Sequence, residues 1–292
     1  MSANPKPIAA TPTGSRPIQE TVSASLYWTI HLACLLVLVV GVGPLEIGLC
    51  LGLFWLRLFG ITGAYHRYFS HRTYRTSRPF QLLLAALGCS AVQKGPLWWA
   101  AGHRRHHRFS DREGDLHSPR EGFWHAHQGW IFDRRWSQTE LDRIPDLAAF
   151  PELVWLDRWH AVVPLALAAS CFAVGGLSTL VWGFCVSTTL LWHATYTINS
   201  LAHRWGSQRY ETGDDSRNNW LLALLTLGEG WHNNHHHYMA SARQGFFWWE
   251  IDVTYYVLRG LQAVGLVWDI REPPARVLQP APVAAESERL AA

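Results

Sequence analysis

The sequence predicts an all-α integral membrane protein with four transmembrane helices, arranged as two hairpins, and a cytoplasmic helical cap. Hydrophobic residues make up 49% of the 292 residues and charged residues only 16%, which is below the charged fraction of an average soluble domain. The apolar residues are also clustered. No Asp, Glu, Lys or Arg occurs between Thr21 and Leu45 or between Trp159 and His203. The second run is long enough for two helical crossings of about 20 residues each.

Four spans are predicted in two pairs, and the two spans of each pair are separated by a short turn that contains Gly or Pro. The short turns carry no Lys or Arg, whereas the stretch from Arg67 to Arg158 and the region after Arg204 carry nearly all of them. By the positive-inside rule, these arginine-rich parts and both termini are cytoplasmic. The four predicted spans are Leu26 to Val42, Leu45 to Tyr65, His160 to Gly175 and Leu177 to Ile198.

A further apolar segment, from Phe80 to Ala91, is too short for a crossing, because only about fifteen uncharged residues precede Lys94. We therefore expect a helix that lies at, or dips into, the membrane interface. Arg57 falls within the second predicted span. Its side chain should face protein or reach toward the surface rather than contact lipid.

The predicted membrane domain comprises residues 21–272, between a disordered tail at 1–20 and a flexible tail at 273–292. A signal peptide is not expected, because about twenty polar residues precede the first apolar run and no convincing cleavage site follows it. The net charge of +3 and the scattered arginines argue against nucleic acid as a partner. Five cysteines without CxxC spacing favour free, buried thiols: Cys34, Cys50, Cys89, Cys171 and Cys185.

Three tight histidine groups are the main functional signal. In the second and third groups, positions i, i+3 and i+4 share one helix face, so three imidazoles can aim at one region. The two histidines of the first group are about 140° apart around an ideal helix, so both reach one site only if the helix ends there. The groups are His66 with His71, His103 with His106 and His107, and His232 with His235 and His236.

The predicted topology places all three groups on one side of the membrane, which favours metal binding over unrelated core histidines. Imidazole ligands suit Zn, Cu or Fe, and the lack of nearby Cys excludes the structural zinc patterns. Eight or nine ligands suit two ions better than one, and the residues alone leave zinc open. We interpret His31, His160 and His193 as core or interfacial residues. Four more histidines have no assigned role: His117, His125, His127 and His237.

The gaps of four, two and two residues within these groups resemble the histidine boxes of the membrane-bound fatty acyl desaturases, specifically the stearoyl-CoA (delta-9) type. The resemblance extends from about Ile61 to Asp269 and includes the stretch from Asn199 to Arg204. It implies nine metal ligands, with Asn199 acting through a bound water. The implied ligands are His66, His71, His103, His106, His107, His203, His232, His235 and His236.

The resemblance also implies roles for residues around the metals. Gln93, Trp99 and Thr195 match the residues around the bend of the acyl tunnel, although composition alone would make Trp99 an interfacial aromatic residue. Acidic residues near the boxes should accept N–H hydrogen bonds from ligand imidazoles, which orients the rings. The alternative for each is a solvated loop charge. These candidates are Asp111, Asp115, Glu229 and Asp252.

One pair of positions departs from the family pattern. Animal stearoyl-CoA desaturases carry an Arg-Asp pair just before the second box that helps bind the coenzyme A head group, and here Ala101 and Gly102 stand there. Lys94, Arg104 and Arg105 offer other positive charge for a phosphate. The acyl carrier is therefore open between coenzyme A, an acyl carrier protein and a glycerolipid.

The resemblance implies a non-haem di-iron enzyme that uses O2 to introduce a cis double bond, at the delta-9 position, into a long-chain fatty acyl thioester or lipid. No haem-binding or ferredoxin-like Cys pattern is present, so a ferredoxin, a rubredoxin or a cytochrome b5-like protein with its reductase should supply electrons. The same oxidant could instead hydroxylate or decarboxylate the chain. A membrane zinc-binding or transport protein is the alternative from another class, but the spans offer almost no paired polar residues for an ion path.

Overall fold

A computed structural model describes residues 17–279, in which helices predominate. Residues 1–16 and 280–292, which make up most of the two predicted tails, lie outside the described residues. The helices before the second histidine box are α1 (Pro17–Ala33), α2 (Val37–Val40), α3 (Pro44–Phe59), α4 (Arg78–Cys89) and α5 (Pro96–Phe109). Those that follow are α6 (Phe123–His127), α7 (Pro145–Ala148), α8 (Pro151–Arg158), α9 (Val162–Thr179), α10 (Ser187–Ser200), α11 (Trp220–Leu225), α12 (His232–His237), α13 (Val253–Ala263) and α14 (Ala275–Leu278).

Two π-helical segments and one small sheet complete the framework among the described residues. The segment Gly60–Ser70 continues α3, and the segment Leu180–Val186 joins α9 to α10. The strands β1 (Arg75–Thr76) and β2 (Val267–Trp268) pair antiparallel. This pairing joins the segment after α13 to the segment after the first histidine box. Short 3-10 turns occur at Cys34–Leu36, Pro119–Glu121, Gly129–Phe132, Arg134–Trp136 and Leu141–Arg143.

Two of the described helical stretches are long and apolar enough to cross a membrane. They are Pro44–Ser70 and Val162–Ser200, and a shorter apolar helix covers Ala24–Val40. The sequence-based prediction of a mainly helical protein with long apolar helices is confirmed to this extent. The first helix begins at Pro17, so residues 17–20 of the predicted tail are helical.

The longer stretch is folded back on itself at Gly175 and Gly176. Gly176 has a φ of +70°, a left-handed conformation that glycine adopts without steric cost. The Thr179 hydroxyl donates a hydrogen bond of 2.5 Å to the carbonyl of Cys171. Eight residues of straight α-helix would separate these groups by about 12 Å. The chain therefore reverses at the turn expected between the third and fourth predicted spans.

This turn lies beside the turn between α2 and α3. The Ser178 hydroxyl donates to Glu46 at 2.7 Å, and the Trp182 indole donates to the carbonyl of Gly41 at 2.8 Å. His66 lies about 33 Å further along the helix that begins at Pro44, at a rise of about 1.5 Å per residue. The two turns and the histidines therefore occupy opposite ends of the helical bundle.

The structure places Arg57 inside the protein and gives α4 a length too short to cross a membrane. The Arg57 side chain is 1% exposed and donates hydrogen bonds to Thr188 Oγ1 (2.7 Å) and the Ser90 carbonyl (3.2 Å), so it faces protein. Helix α4 spans about 18 Å, which is short of the ~30 Å hydrocarbon core. It buries Leu84 against the protein and exposes Leu83.

Close backbone packing joins α4 to the π-helical segment that carries the first histidine box. A Cβ atom on Gly88 would lie 2.0 Å from the Tyr65 ring, and a Cβ on Gly60 would lie 2.8 Å from the Leu87 carbonyl. Glycine at both positions thus sets the distance between the two helices. All five cysteines are free thiols, and four of them are buried.

Candidate metal centre

All nine imidazoles that the sequence nominated as ligands converge in two clusters. In each cluster, one nitrogen from every ring lies within 4.8 Å of the others. The five-histidine group contains His66, His71, His103, His107 and His235, and the four-histidine group contains His106, His203, His232 and His236. The nine residues come from four separate segments of the chain, which only the tertiary fold brings together.

Helices α5 and α12 each divide their histidines between the two groups. In α5, His103 and His107 belong to the five-histidine group and His106 to the four-histidine group. Residues i and i+4 are about 40° apart around a helix, whereas i+3 and i+4 are about 100° apart. The expectation that three imidazoles of one box aim at one region therefore differs from the structure. Helix α12 follows the same rule, with His235 separated from the other two.

The first box is brought to one site by the π-helical segment that ends at Ser70. The His71 amide donates to the His66 carbonyl at 3.3 Å, the i to i+5 bond of a π-helix. An α-helix would place these side chains about 140° apart. The wider turn instead brings their ring centroids to 5.0 Å from each other, so both enter the five-histidine group.

The spacing between facing nitrogens fits imidazoles that share an ion. Around an ion with metal–nitrogen bonds of about 2.1 Å, ligands at right angles lie ~3.0 Å apart and tetrahedral ligands ~3.4 Å apart. Within the five-histidine group, four Nε2 pairs are separated by 2.9 to 3.0 Å. In the four-histidine group, His203 and His232 are 3.0 Å apart and His106 and His236 are 3.4 Å apart.

Six of the nine ligand imidazoles have a lowered pKa, which favours the neutral form that binds metals. Burial, reinforced by neighbouring imidazoles, lowers the pKa of most of them well below its ordinary value. Burial also lowers the pKa of His236, to about 4. For His106, burial acts in the same direction, but the Asp115 carboxylate outweighs it and raises the pKa. The strongly lowered values are those of His71, His103, His107, His232 and His235.

Three of the four predicted acidic residues accept hydrogen bonds from ligand rings. Asp111 contacts His203 Nδ1 at 2.8 Å, and Asp115 contacts His106 Nδ1 at 2.9 Å. Glu229 contacts Nδ1 of His66. A carboxylate on Nδ1 fixes the proton there, which leaves Nε2 free to bind a metal.

Asp252 does not make the predicted contact with a ligand imidazole but contacts Arg67 instead. It accepts from Arg67 Nη1 at 2.9 Å and caps α13 by accepting from the Tyr255 amide at 3.0 Å. The buried Arg67 also contacts Glu229 at 3.0 Å, and Glu229 holds His66. Asp252 thus positions a guanidinium rather than a ligand ring, because Arg67 directly follows His66 and fills the space between the two acids.

Sequence reasoning missed Asp214, which contacts His236 Nδ1 at 2.7 Å. Its other oxygen accepts from the Thr212 hydroxyl at 2.7 Å and the Ser216 amide at 3.0 Å. Asp214 lies in an irregular loop, so no helical spacing connects it to a box. The adjacent Asp215 pairs instead with Arg120 at the surface.

A cavity beside the histidines is lined by all three residues that were assigned to the acyl tunnel. The Trp99 indole donates to Gln93 Oε1 at 3.1 Å, and the Gln93 amide donates to Thr195 Oγ1 at 2.9 Å. The same cavity is lined by Asn199 and by four of the imidazoles, His66, His103, His106 and His232. The three predicted tunnel residues, Asn199 and four of the nine predicted ligand imidazoles therefore border one cavity.

The histidines without an assigned role have separate environments. His117 lines the cavity, and its ring is tilted against that of His106 with a centroid distance of 4.4 Å. His237 stacks on Tyr210 at 3.9 Å, outside both groups. His125 contacts the Leu116 carbonyl at 3.2 Å. His127 Nε2 lies 2.9 Å from His193 Nδ1.

The basic residues offered for a phosphate group are engaged within the protein. Arg104 pairs with Asp146 at 2.7 Å, and Arg105 pairs with Glu140 at 2.8 Å. The Lys94 ammonium lies 4.1 Å from the centre of the Trp98 ring. Gly102 lines the cavity directly, while Ala101 is buried.

Comparison with known proteins agrees with this arrangement. Residues 43–263 match the fatty acid desaturase family. The chain is 41% identical over 219 residues to the chloroplastic palmitoyl-monogalactosyldiacylglycerol delta-7 desaturase of Arabidopsis thaliana, an alignment that covers 74% of this chain and 59% of that protein.

Two further relatives are similar over more of their length. The sn-2 palmitoyl-lipid 9-desaturase of Nostoc sp. (strain 36) is 38% identical over 234 residues, which cover 78% of this chain and 82% of that protein. An acyl-CoA 5-desaturase of Anemone leveillei is 38% identical over 231 residues, which cover 75% and 72% respectively. The resemblance drawn from the histidine boxes is thereby confirmed, and the chain belongs to the fatty acid desaturase family.

Proposed function

We propose that this chain is an oxygen-dependent desaturase that introduces a cis double bond into a long-chain fatty acyl group with a di-iron centre. The observation that carries the proposal is the pair of histidine groups that border one cavity, which the three tunnel residues also line. A metal transporter would need polar groups along its spans instead. Family membership supports the reaction class.

The two histidine groups would each hold one iron, and Asn199 would act through a bound water. When bound, the irons supply the activation of O2 that removes hydrogen from unactivated methylene groups. Asp111, Asp115 and Glu229 fix the protons of their ligand rings on Nδ1. Each turnover consumes one O2, two electrons and two protons, and it yields the alkene and two waters.

The cavity residues would position the acyl chain by shape. Methylene groups form no hydrogen bonds, so only the walls of the cavity can select the pair of carbons that reacts. The polar groups of Trp99, Gln93 and Thr195 bond to one another, which spares the chain from facing an unpaired polar atom. We propose the delta-9 position, which is the one in the name of the Nostoc relative.

The carrier and the electron donor belong to the same proposal. Relatives are named for acyl-CoA and for acyl-lipid substrates, so we propose either a thioester or a lipid-bound acyl group. Electrons would come from a separate ferredoxin, rubredoxin or cytochrome b5-like protein. That donor would dock on the cytoplasmic face, since the histidines lie at the end of the bundle away from the two short turns.

We further propose four membrane crossings within a domain of residues 21–272, with the histidine cap and both termini cytoplasmic. The side-by-side turns near Gly41 and Gly176 support two hairpins. The ~33 Å from Pro44 to His66 matches one crossing of a ~30 Å hydrocarbon core.

The test is expression in a host that lacks unsaturated fatty acids of its own, followed by mass spectrometry that locates any new double bond. We expect a cis-9 product that disappears in the His235→Ala variant. An added hydroxyl or a lost carbon would assign a different reaction to the same centre. Activity that survives the loss of His235 would contradict the ligand assignment.

A further inference from the structure

Three histidines outside the metal groups form a continuous chain from α1 through α10 to α6. His31 Nε2 lies 3.2 Å from His193 Nε2, and His193 Nδ1 lies 2.9 Å from His127 Nε2. The outer nitrogens are also occupied. His31 Nδ1 lies 2.8 Å from the Tyr27 carbonyl, and His127 Nδ1 lies 3.0 Å from the Ser200 hydroxyl. Every ring nitrogen of this histidine chain therefore has a partner.

The protons of the neutral histidine chain can be placed from these contacts. A carbonyl only accepts, so His31 must carry its proton on Nδ1 and accept on Nε2. His193 then carries its proton on Nε2, and His127 carries its own on Nε2. The bare Nδ1 of His127 accepts from the Ser200 hydroxyl. Three neutral rings thus satisfy all the contacts.

One additional proton is accommodated without breaking a contact. Ser200 can rotate its hydroxyl to the Tyr196 carbonyl, which lies 2.9 Å away. His127 Nδ1 then carries a proton and donates it to Ser200, and each contact between two rings still holds one proton. Both charge states are fully hydrogen-bonded, so the cost of a buried unpaired donor or acceptor does not arise in either.

The groups around the three rings favour the protonated state only weakly. The Trp192 ring stacks on His31 with a centroid distance of 5.5 Å, a position that favours a cation. Among the described residues, no carboxylate hydrogen-bonds to the three rings, and Glu121 lies 3.5 Å from His125 instead. Burial lowers the pKa of His127, which favours the neutral form of that ring. The titratable groups that face the chain are the phenols of Tyr27 and Tyr196.

We propose that His31, His193 and His127 form a proton-loading chain that takes up one proton at its His127 end, shares it among the three rings, and passes it toward the catalytic cavity. Tyr196 lies between the two, because its ring contacts His127 and His193 at 5.8 and 6.1 Å and also lines the cavity. The role in turnover rests on the proposed function, in which each double bond consumes two protons. Ionisable side chains in membrane helices commonly mark such relays.

Loading is measured first, without substrate, by nitrogen NMR of protein with labelled histidines. In His193→Gln the amide keeps a hydrogen-bonding group but cannot be protonated. We expect the wild-type rings of His31 and His127 to titrate together and to titrate independently in the variant. The control is His125→Gln, on the same helix as His127. If the titration of His31 and His127 were the same in His193→Gln as in the wild type, the proposed coupling of the three histidines would be wrong.

Delivery is measured by the rate of alkene formation and its solvent deuterium isotope effect. We expect His193→Gln and His127→Gln to lower turnover about 100-fold or more, in the range of lost proton-transfer catalysis, with iron content and KM unchanged. Added 4-methylimidazole should restore part of the rate, which a purely structural defect would not allow. Full turnover in both variants, or a loss that imidazole does not relieve, would overturn delivery.

The two measurements separate this inference from the proposed function. If wild-type protein with iron forms no alkene, the proposed function fails and delivery fails with it. The NMR result still decides whether the histidine chain loads a proton, because that measurement needs neither substrate nor turnover.

Discussion

Replacing Asp214 with Asn tests how the loop carboxylate prepares His236. Oδ2 of Asp214 accepts from His236 Nδ1, while Oδ1 is held by the Thr212 hydroxyl and the Ser216 amide. In Asp214→Asn these two donors would keep the amide oxygen in the Oδ1 position. The amide nitrogen would then face His236 Nδ1 with a second donor. To avoid this clash, the ring must move its proton to Nε2, which removes the lone pair that would bind the metal.

The size of the effect follows from the burial of the pair. The side chains of Asp214 and His236 are 7% and 2% exposed, so water cannot replace the lost contact. Loss of a carboxylate behind a histidine ligand lowers metal affinity or activity about 10- to 100-fold, or about 1.4 to 2.7 kcal/mol at ~1.36 per factor of ten. Because the substitution also inverts the ring tautomer, we expect the upper end of this range.

The assay is iron retained per chain after graded exposure to a chelator, with alkene formation in the same samples. The matched control is Asp215→Asn, one residue further along. That side chain is 37% exposed and pairs with Arg120 at the surface, where an ion pair contributes about 0 to 1 kcal/mol. Equal iron retention in the two variants, with both folded, would refute the tautomer argument.

Two further substitutions test the cavity and the packing behind it. Gln93→Leu should leave the Trp99 indole without its acceptor and produce a mixture of double-bond positions with iron content unchanged; a single product at the wild-type position would contradict the positioning role. Gly88→Ala should lower the free energy of unfolding by about 1 to 3 kcal/mol, because the new Cβ meets the Tyr65 ring. Gly52→Ala, with open space around it, should not destabilise the protein, so equal thermal stabilities of the two variants would argue against this packing.

The spacing of the histidine boxes was enough to nominate the ligands, because i, i+3 and i+4 positions and the resemblance both depend on local sequence. Their division into two groups was not predictable in the same way. It depends on where α5 and α12 face each other, which sends His106 and His235 across to opposite groups. The π-helical turn between His66 and His71 likewise has no signal in hydrophobic periodicity.

The acidic residues also differ in whether local sequence or only tertiary packing connects them to the histidines. Asp111 and Asp115 follow the second box closely and could be nominated from that position. Asp214 reaches His236 only through the tertiary packing of a loop. Gly175 and Gly176 are expected to lie in the turn between the last two predicted spans, and the structure reverses the chain there.

Anomalous X-ray diffraction at the iron absorption edge, from protein made in iron-supplied cells, tests the central claim most directly. We predict two peaks per chain, one among His66, His71, His103, His107 and His235 and the other among His106, His203, His232 and His236. A single peak, or a signal that appears at the zinc edge and not at the iron edge, would contradict the di-iron centre.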